Sequence, residues 1–349
     1  MIEVLETYPR INLIHHVEPD GTVWGTSNRR ILRKRREEDW AEVSRFPFAP
    51  PKDFSEVTRL TARASRVDQS NVYVNRHGKV IGIRNGVVYR IEENRSPVPL
   101  GHIQGDSILR RGFAEDEEGT VYFGEYFRNT ERGPVRIWKV APDASRVEVA
   151  YEFPAETLRH VHGIHADPHD PGVFWVTVGD DNGECFFYRT ADRFQSMKRF
   201  GEGTQTWRAV GLLFTPDHVC WITDSHTETN HACRMKRSDG SLEIGQEIDC
   251  SGWYSCTTKE GLRVAFTTVE KGPAITSNEA SVLISPDGFN WKKAGSYKKD
   301  GWRPMKIFKY GVLACPSGEM SIDEFYLSGE GLVGLDGRSV KVRVGRDVF

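Results

Sequence analysis

The feature that most constrains the fold of this chain is a repeated pair of strands. Each copy contains a strand that opens near a glycine, a tight turn, and a second apolar-rich strand that in the clearest copies ends in an acidic residue. Short alternating runs rich in Tyr, Trp, Phe and Val favour strands over helices. The copies, from the clearest to the weakest, are residues 111–125, 162–180, 210–224, 253–270, 15–26 and 305–316.

The repeat predicts an all-β fold, a β-propeller of about seven four-stranded blades. Its period of roughly 45 to 50 residues is typical of propeller blades, and packing blades around an axis buries faces that a lone blade would expose. Six blades stay possible, because the second and last units are the least regular. We expect one domain over residues 1–349, whose ends near Asn12 and Val344 could share the closing blade. The units start near Asn12, Thr61, Ile108, His160, Trp207, Gly252 and Pro304.

One turn carries a resemblance to a known group of propellers. Residues 285–291 read Ser-Pro-Asp-Gly-Phe-Asn-Trp, in which Ser285, Asp287, Gly288 and Trp291 match the Asp-box, or BNR repeat, of sialidase-like propellers. A degraded copy lies at residues 190–194. The resemblance implies a structural turn between third and fourth strands, away from the catalytic face. The Arg-Ile-Pro segment of sialidases is not matched by residues 9–12, Pro-Arg-Ile-Asn, so no sialidase catalytic residue is transferred.

Composition excludes several classes of protein. The chain has 47 basic and 49 acidic residues and a net charge of −2, a balance that argues against a nucleic-acid or acidic-membrane binder. No apolar run is long enough to span a membrane, and the first residues do not look like a signal peptide. The six cysteines form no CxxC pair and several lie in apolar strand patterns, which predicts buried free thiols. These features indicate a cytoplasmic protein.

Charged and aromatic residues recur where a propeller would bring them to one face. Loops that enter first strands and leave second strands open together around the central channel of such a fold, so these residues should share a pocket. The candidate catalytic residues are Glu125, Asp180, Asp224, Glu270, His162 and Tyr126. The candidate substrate-binding residues are Arg111, Arg128, Arg208, Arg303, Trp207, Trp253 and His226.

This set of residue types favours a carbohydrate-active enzyme. Paired carboxylates suit glycoside hydrolysis, tryptophan faces suit sugar rings, and arginine forks suit a sugar carboxylate or sulfate. The leading hypothesis is a glycosidase acting on an acidic or polar glycan, with an oligosaccharide or small molecule as its ligand. A polysaccharide lyase that uses His162 or Tyr126 as its base is one alternative. A non-catalytic propeller that binds a protein or glycan is the other.

No cofactor is predicted, but four histidines raise the possibility of a divalent metal. His160 and His162 alternate along a strand and share a face, whereas His165 falls on the other face and His169 in a distant turn. At most His160 and His162 could join a distant ligand such as His226. Two ligands are too few to define a metal site.

Overall fold

The computed structural model describes residues 1–345, and the last four residues of the predicted domain, 346–349, lie outside the described residues. Short antiparallel strands make up most of this part of the chain. The strands in chain order are β1 (Ile2–Tyr8), β2 (Leu13–Val17), β3 (Val23–Ser27), β4 (Arg30–Lys34), β5 (Ala41–Arg45), β6 (Asn71–Val74), β7 (Val80–Arg84), β8 (Val87–Ile91), β9 (Val98–His102), β10 (Phe113–Glu115), β11 (Val121–Gly124), β12 (Val135–Val140), β13 (Val147–Phe153), β14 (Val161–Ala166), β15 (Phe174–Val178), β16 (Cys185–Thr190), β17 (Lys198–Gly203), β18 (Leu213–Phe214), β19 (His218–Ile222), β20 (Asn230–Lys236), β21 (Leu242–Ile248), β22 (Ser251–Thr257), β23 (Arg263–Val269), β24 (Glu279–Ser285), β25 (Lys292–Lys298), β26 (Gly311–Ala314), β27 (Ser317–Gly318), β28 (Phe325–Glu330) and β29 (Arg338–Val344).

The strands form successive antiparallel meanders. The series β2–β5, β6–β9, β10–β13, β14–β17 and β18–β21 each make one sheet, to the first of which β27 adds a short parallel pairing. An eight-stranded sheet contains β22–β25 and the run β26-β28-β29-β1, joined where β23 pairs with β26. Strand β1 pairs with β29 along its length, so the N-terminal strand completes the C-terminal sheet. The strand at the chain start that closes the fold is therefore β1, before Asn12.

Burial differs between inner and outer strands, as stacked sheets require. Strands β2, β7 and β15 are buried at every position, whereas the fourth strands β13 and β21 keep most positions exposed or half-buried. The apolar core lies between neighbouring sheets. One cluster joins Trp175 and Phe187 of the β14–β17 sheet to Trp221 of the next sheet. Each sheet thus buries both faces only with its neighbours.

Helices are few and short in the described residues, and they fall where the repeat is least regular. Helix α1 (Arg59–Ser65) and the 3₁₀ helix Lys52–Val57 precede β6, and helix α2 (Met305–Phe308) precedes β26. The predicted starts near Thr61 and Pro304 were therefore misplaced, since those segments are helical and the sheets begin at Asn71 and Gly311. A fourth helix, the 3₁₀ turn Gln205–Trp207, precedes β18. None of the helices in residues 1–345 is long and apolar enough to cross a membrane.

The turn between β24 and β25 has a dense hydrogen-bond pattern. The Asp287 carboxylate accepts from the Ser285 hydroxyl at 2.8 Å and from the Phe289 and Asn290 amides at 2.9 and 2.8 Å. Gly288 has a φ of +80°, a conformation that side chains disfavour. The Thr190 hydroxyl donates to Asp192 in the same way, at 2.8 Å, in the turn between β16 and β17. All six cysteines are buried and unpaired, as predicted.

Candidate functional site

A cavity of about 670 Å³ lies where loops of successive sheets converge, and most of the predicted site residues line it. Its walls come from loops before first strands and after second strands, which is the face that the repeat indicated. The predicted residues that line it are Tyr126, Arg128, His162, Asp180, Arg208, Asp224, His226, Trp253 and Glu270.

Asp180 is the centre of the polar contacts in this cavity. It follows β15 through Gly179, whose φ is +85° and where a Cβ atom would lie 2.1 Å from the Glu184 carbonyl oxygen. Only glycine lets the chain turn here and direct Asp180 inward. Two arginines form ion pairs with the carboxylate. Arg208 Nη2 lies 3.0 Å from Oδ1, and Arg159 Nη1 lies 3.1 Å from Oδ2.

His160 and His162 contact the same carboxylate. His162 Nε2 lies 3.1 Å from Asp180 Oδ1, His160 Nε2 lies 3.4 Å from Oδ2, and the two Nε2 atoms are 3.1 Å apart. Burial alone would raise the pKa of Asp180, but the hydrogen bonds and charges of the two histidines lower it well below its ordinary value. Burial lowers the pKa of His162, and its contact with Asp180 offsets this only in part. Within residues 1–345, His160, His162 and Asp180 are the group whose donor atoms lie close enough to hold a metal ion.

The side chain that completes this potential metal-binding group is thus Asp180, and His226 is not part of the group. His226 Nδ1 instead lies 3.4 Å from Arg208 Nη1. His165 and His169 do not line the cavity, in agreement with the strand argument.

Arg208 connects Asp180 to a second buried carboxylate, Asp224. Its Nε atom lies 3.4 Å from Asp224 Oδ2, and only 9% of its side chain is exposed. Burial opposes the charge on Arg208, but Asp224 and Asp180 raise the pKa of the guanidinium, which stays positive. Arg208 was predicted to clamp a substrate anion. In the structure its guanidinium is occupied by protein carboxylates.

Asp224 and Glu270 are a pair of buried carboxyls with different surroundings. Asp224 is 3% exposed and its Oδ1 accepts the Trp253 indole N–H at 2.8 Å. Glu270 is 7% exposed, and its buried Oε1 has no hydrogen-bond partner within residues 1–345.

Both carboxyls of this pair bind protons more tightly than usual. Burial raises the pKa of Glu270, and Ser251, Arg208 and His226 offset this only in part. Burial also raises the pKa of Asp224, with Glu270 adding to the rise and Arg208 opposing it. Asp224 accepts one hydrogen bond, from Trp253, and lies beside the Arg208 guanidinium, whereas Glu270 Oε1 has no hydrogen-bond donor among residues 1–345. These surroundings favour a negative charge on Asp224 over one on Glu270.

Aromatic rings form another part of the wall. The Tyr126 ring lies 4.2 Å from the His160 ring, and the Trp253 ring lies 5.9 Å from Tyr310 at 87°. Burial raises the pKa of Tyr126, and Asp180 and Asp224 raise it further, so its phenol stays protonated. Trp253 and Tyr310 are half-buried and present ring surface to the cavity.

Three cations of the lining have no carboxylate counter-ion within the part of the chain that the structure describes. Among residues 1–345, no carboxylate oxygen lies within 4 Å of Arg66, Arg128 or Lys309. Arg110, by contrast, contacts Glu330 at 3.4 Å. The unpaired cations would favour an anionic group on a ligand.

Glu125 lies outside the cavity, and its position corrects its predicted catalytic role. The residue is fully buried. Oε1 accepts hydrogen bonds from the Gln104 backbone N–H at 2.9 Å and from the Trp138 indole N–H at 3.0 Å. Oε2 accepts one from the Arg136 backbone N–H at 2.9 Å. Three donors engage the carboxylate, which therefore holds loops together.

Three predicted binding residues are also elsewhere. Arg111 donates to the Pro316 carbonyl, and Arg303 Nη1 contacts Asp300 at 3.2 Å and also Asp336. Trp207 is 5% exposed and packs against Trp221 with ring centres 5.3 Å apart. These side chains support the fold, because their polar or apolar surface is already occupied.

Several lining residues were missed, some of them with a readable signal. Glu330 ends β28, the second strand of its run, and so occupies the same strand-end position as Glu270. The predicted copy at residues 305–316 ends before Glu330, so the repeat does not predict this residue. Arg159 directly precedes His160, so its position in the sequence is a signal for the same face. Arg66, Lys309 and Tyr310 lie in or next to the irregular segments, where the repeat gives no register.

No protein-family model matches the chain, and no curated protein matches it. Among solved structures, YCF48 bound to D1 peptide is 10% identical, with a TM-score of 0.54 over 99% of this chain and 95% of that one. A putative TolB from Agrobacterium tumefaciens is 13% identical, with a TM-score of 0.45 over 65% of this chain and 80% of that one. A gluconolactonase from Xanthomonas campestris is 12% identical, with a TM-score of 0.44 over 76% and 86%.

This chain is a β-propeller. At such identities the likeness shows the fold and carries nothing about activity. The function of the propeller has to be argued from the residues of its cavity.

Proposed function

We propose that this propeller is a glycoside hydrolase that acts on an acidic or polar oligosaccharide. Glu270 is the general acid that protonates the leaving oxygen, and Asp224 is the carboxylate that acts as base or nucleophile. Both roles are required for glycoside hydrolysis, and they need two carboxyls in different protonation states.

The observation that carries the proposal is the asymmetry of this buried pair. Asp224 has Trp253 at 2.8 Å and Arg208 at 3.4 Å to stabilise a negative charge. Glu270 has a buried oxygen with no partner, which suits a carboxyl that keeps its proton until a substrate oxygen accepts it. A concave cavity with such a pair favours an enzyme over a flat binding face.

The lining supports an anionic sugar as the substrate class. Arg66, Arg128 and Lys309, which have no carboxylate within 4 Å among the described residues, would receive a sugar carboxylate or sulfate. Trp253 and Tyr310 offer ring faces to the apolar side of a sugar. The occupied Arg208 instead helps to keep Asp224 ionised.

A lyase mechanism is supported less well by the same residues. Its base would be Tyr126 or His162. The raised pKa of Tyr126 makes the phenol a poor base at neutral pH. Both ring nitrogens of His162 already have partners, with Nδ1 3.0 Å from the Ala209 carbonyl oxygen and Nε2 beside Asp180.

We also propose the finer description of the fold. Counting β22–β25 and β26-β28-β29-β1 separately gives seven four-stranded blades, the last closed by the N-terminal strand. The hydrogen bonds of Asp287 and the buried Trp291 support the assignment of residues 285–291 to the Asp-box turn.

The test is a panel of neutral, uronic-acid and sulfated oligosaccharides incubated with the wild type and Asp224→Asn. New reducing ends are measured together with the unsaturated uronate that a lyase would produce. We expect saturated products from an anionic substrate, no turnover by Asp224→Asn, and a raised KM for Arg128→Ala on anionic substrates only. Unsaturated products would replace the proposal with a lyase. Tight binding without cleavage of any glycan would replace it with a binding propeller.

A further inference from the structure

We propose that His160, His162 and Asp180 form a binding site for one divalent transition-metal ion, with Zn²⁺ as the ion that fits best. The site uses none of the side chains assigned to hydrolysis. It therefore does not rest on the proposed function.

The three donor atoms are spaced as ligands of one ion would be. The Nε2 atoms are 3.1 Å apart, and they lie 3.4 and 3.1 Å from the two Asp180 oxygens. A tetrahedral centre with bonds of about 2.0–2.1 Å separates its ligands by about 3.3 Å. All the donor atoms lie within 4.8 Å of one another, so a single ion can reach each.

The far side of each imidazole fixes the direction of its lone pair. Nδ1 of His160 lies 3.0 Å from the Phe127 carbonyl oxygen, and Nδ1 of His162 lies 3.0 Å from the Ala209 carbonyl oxygen. A carbonyl only accepts, so both Nδ1 atoms carry the proton. In the neutral rings both Nε2 lone pairs then face each other and a carboxylate, an arrangement that a shared cation stabilises.

The backbone prepares this arrangement before any ion binds. His160 and His162 alternate on either side of Val161, and the pairing of β14 with β15 is irregular between Val161 and Gly163. Such a bulge redirects side chains locally. The His160 and His162 residues are each 3% exposed, and this burial holds their rings in one orientation.

The neighbouring charges decide which ions are suitable. Arg159 and Arg208 each contact Asp180, and Arg208 is partly neutralised by Asp224. Each Asp180 oxygen keeps a second lone pair for a metal. Two nitrogen ligands disfavour Ca²⁺ and Mg²⁺, which prefer oxygen, and favour Zn²⁺ or a similar ion. All three ligands line the cavity, so remaining coordination positions can take water or a ligand oxygen.

The experiment measures metal binding and needs no substrate. Full-length protein is freed of metal with a chelator and titrated with Co²⁺, whose visible absorption reports coordination, and Zn²⁺ is then added in competition. We expect one Co²⁺ per chain, displaced by one Zn²⁺. His160→Gln, His162→Gln and Asp180→Asn should each weaken binding at least about 100-fold. His102→Gln, at an exposed histidine of β9, is the matched control and should bind as the wild type does.

Circular dichroism and thermal melting show whether each variant folds. If a ligand variant does not fold, X-ray absorption on the Zn²⁺-loaded wild type gives the same decision, because two imidazole ligands are expected. A wild type that binds no Co²⁺ or Zn²⁺ would overturn the proposal. Binding that survives loss of His160 and His162, or a spectrum without two imidazoles, would overturn it as well. Loss of the metal site would leave the hydrolase proposal standing, and the reverse also holds.

Discussion

Glu125 and Glu270 occupy the same position in two sheets of the propeller, and yet their environments are opposite. Each follows directly after the second strand of its sheet, β11 and β23, and each is buried. Glu125 accepts three hydrogen bonds, whereas Glu270, which lines the cavity, has a buried Oε1 without a hydrogen-bond partner among residues 1–345. Burial is therefore shared by the two residues, and the number of donors separates a structural carboxylate from a candidate acid.

The neighbouring strands explain the difference. In the Glu125 sheet the third strand, β12, supplies both the Arg136 amide and the Trp138 indole. In the Glu270 sheet the third strand, β24, is Glu-Ala-Ser-Val-Leu-Ile-Ser and has no tryptophan to donate. The sheet with Trp138 satisfies its strand-end acid, and the third strand of the other sheet has no tryptophan to donate to Glu270 Oε1.

The largest expected effect is on catalysis by Glu270→Gln. Because the amide cannot protonate a leaving oxygen, kcat should fall about 10²- to 10⁴-fold on natural glycosides. The loss should shrink on an aryl glycoside whose leaving group needs no proton. Glu125→Gln is the matched control, and its folded fraction should keep wild-type kcat. An equal loss on both substrate types would contradict the role of Glu270 as an acid.

The second expected effect is on stability. Here the substitution of Glu125 should have the larger effect and the substitution of Glu270 the smaller one. Glu125→Gln places an amide N–H₂ against backbone or indole donors, so at least one buried donor loses its acceptor. We expect the free energy of unfolding to fall by about 3 kcal/mol. Glu270→Gln should leave it unchanged or slightly higher, since its Oε1 has no bond to lose. Urea denaturation of both variants measures the difference, and equal destabilisation would show that donor number does not separate them.

Sequence reasoning predicted the position of these acids but could not separate their roles. The repeat shows that Glu125, Asp180, Asp224 and Glu270 end second strands, because strand period and turn residues are local properties. Whether a strand-end acid meets an indole, an arginine or an empty cavity depends on the neighbouring strand or sheet. Trp138 and Arg208 were both visible in the sequence, but their partners follow from register and twist.

The irregular segments show a second reason for incomplete prediction. The segment around Arg59–Ser65 was read as the start of a sheet, although Thr58 and Thr61 form a capping box that begins a helix there. The predicted copy at residues 305–316 ends before β28, so it does not include Glu330. In the cavity, His160 and His162 contact Asp180. The two histidines lie at the start of β14, and Asp180 lies in the loop after β15 of the same sheet. That proximity follows from pairing between β14 and β15, which the sequence pattern only implied.

The third prediction compares two tryptophans that each donate to a strand-end acid. Trp253 donates to Asp224 at 2.8 Å, and Trp138 donates to Glu125 at 3.0 Å. A hydrogen bond to a charged group contributes about 1.5–3 kcal/mol. Trp253→Phe should therefore lower kcat about 10- to 100-fold with little change in KM, because the ring face remains. Trp138→Phe should lower stability and leave kcat unchanged. A change confined to KM for Trp253→Phe would assign this indole to substrate stacking alone.

The smallest expected effect is a pH dependence that belongs to Glu270. Burial raises the pKa of this carboxyl in the folded protein above its unfolded value of about 4.3. The folded state then binds the proton more tightly than the unfolded state does. The stability contributed by the protonated carboxyl is complete below the unfolded pKa and is lost as pH rises through the folded pKa.

Glu270→Gln stays neutral throughout, so its free energy of unfolding should rise relative to the wild type between about pH 4 and pH 7. A tenfold difference in proton affinity corresponds to about 1.4 kcal/mol. Urea unfolding of both proteins across this range, with the slope against denaturant checked for constancy, measures the trend. A flat difference would mean that Glu270 has the same proton affinity in both states. The buried oxygen would then have found a donor, and its contrast with Glu125 would disappear.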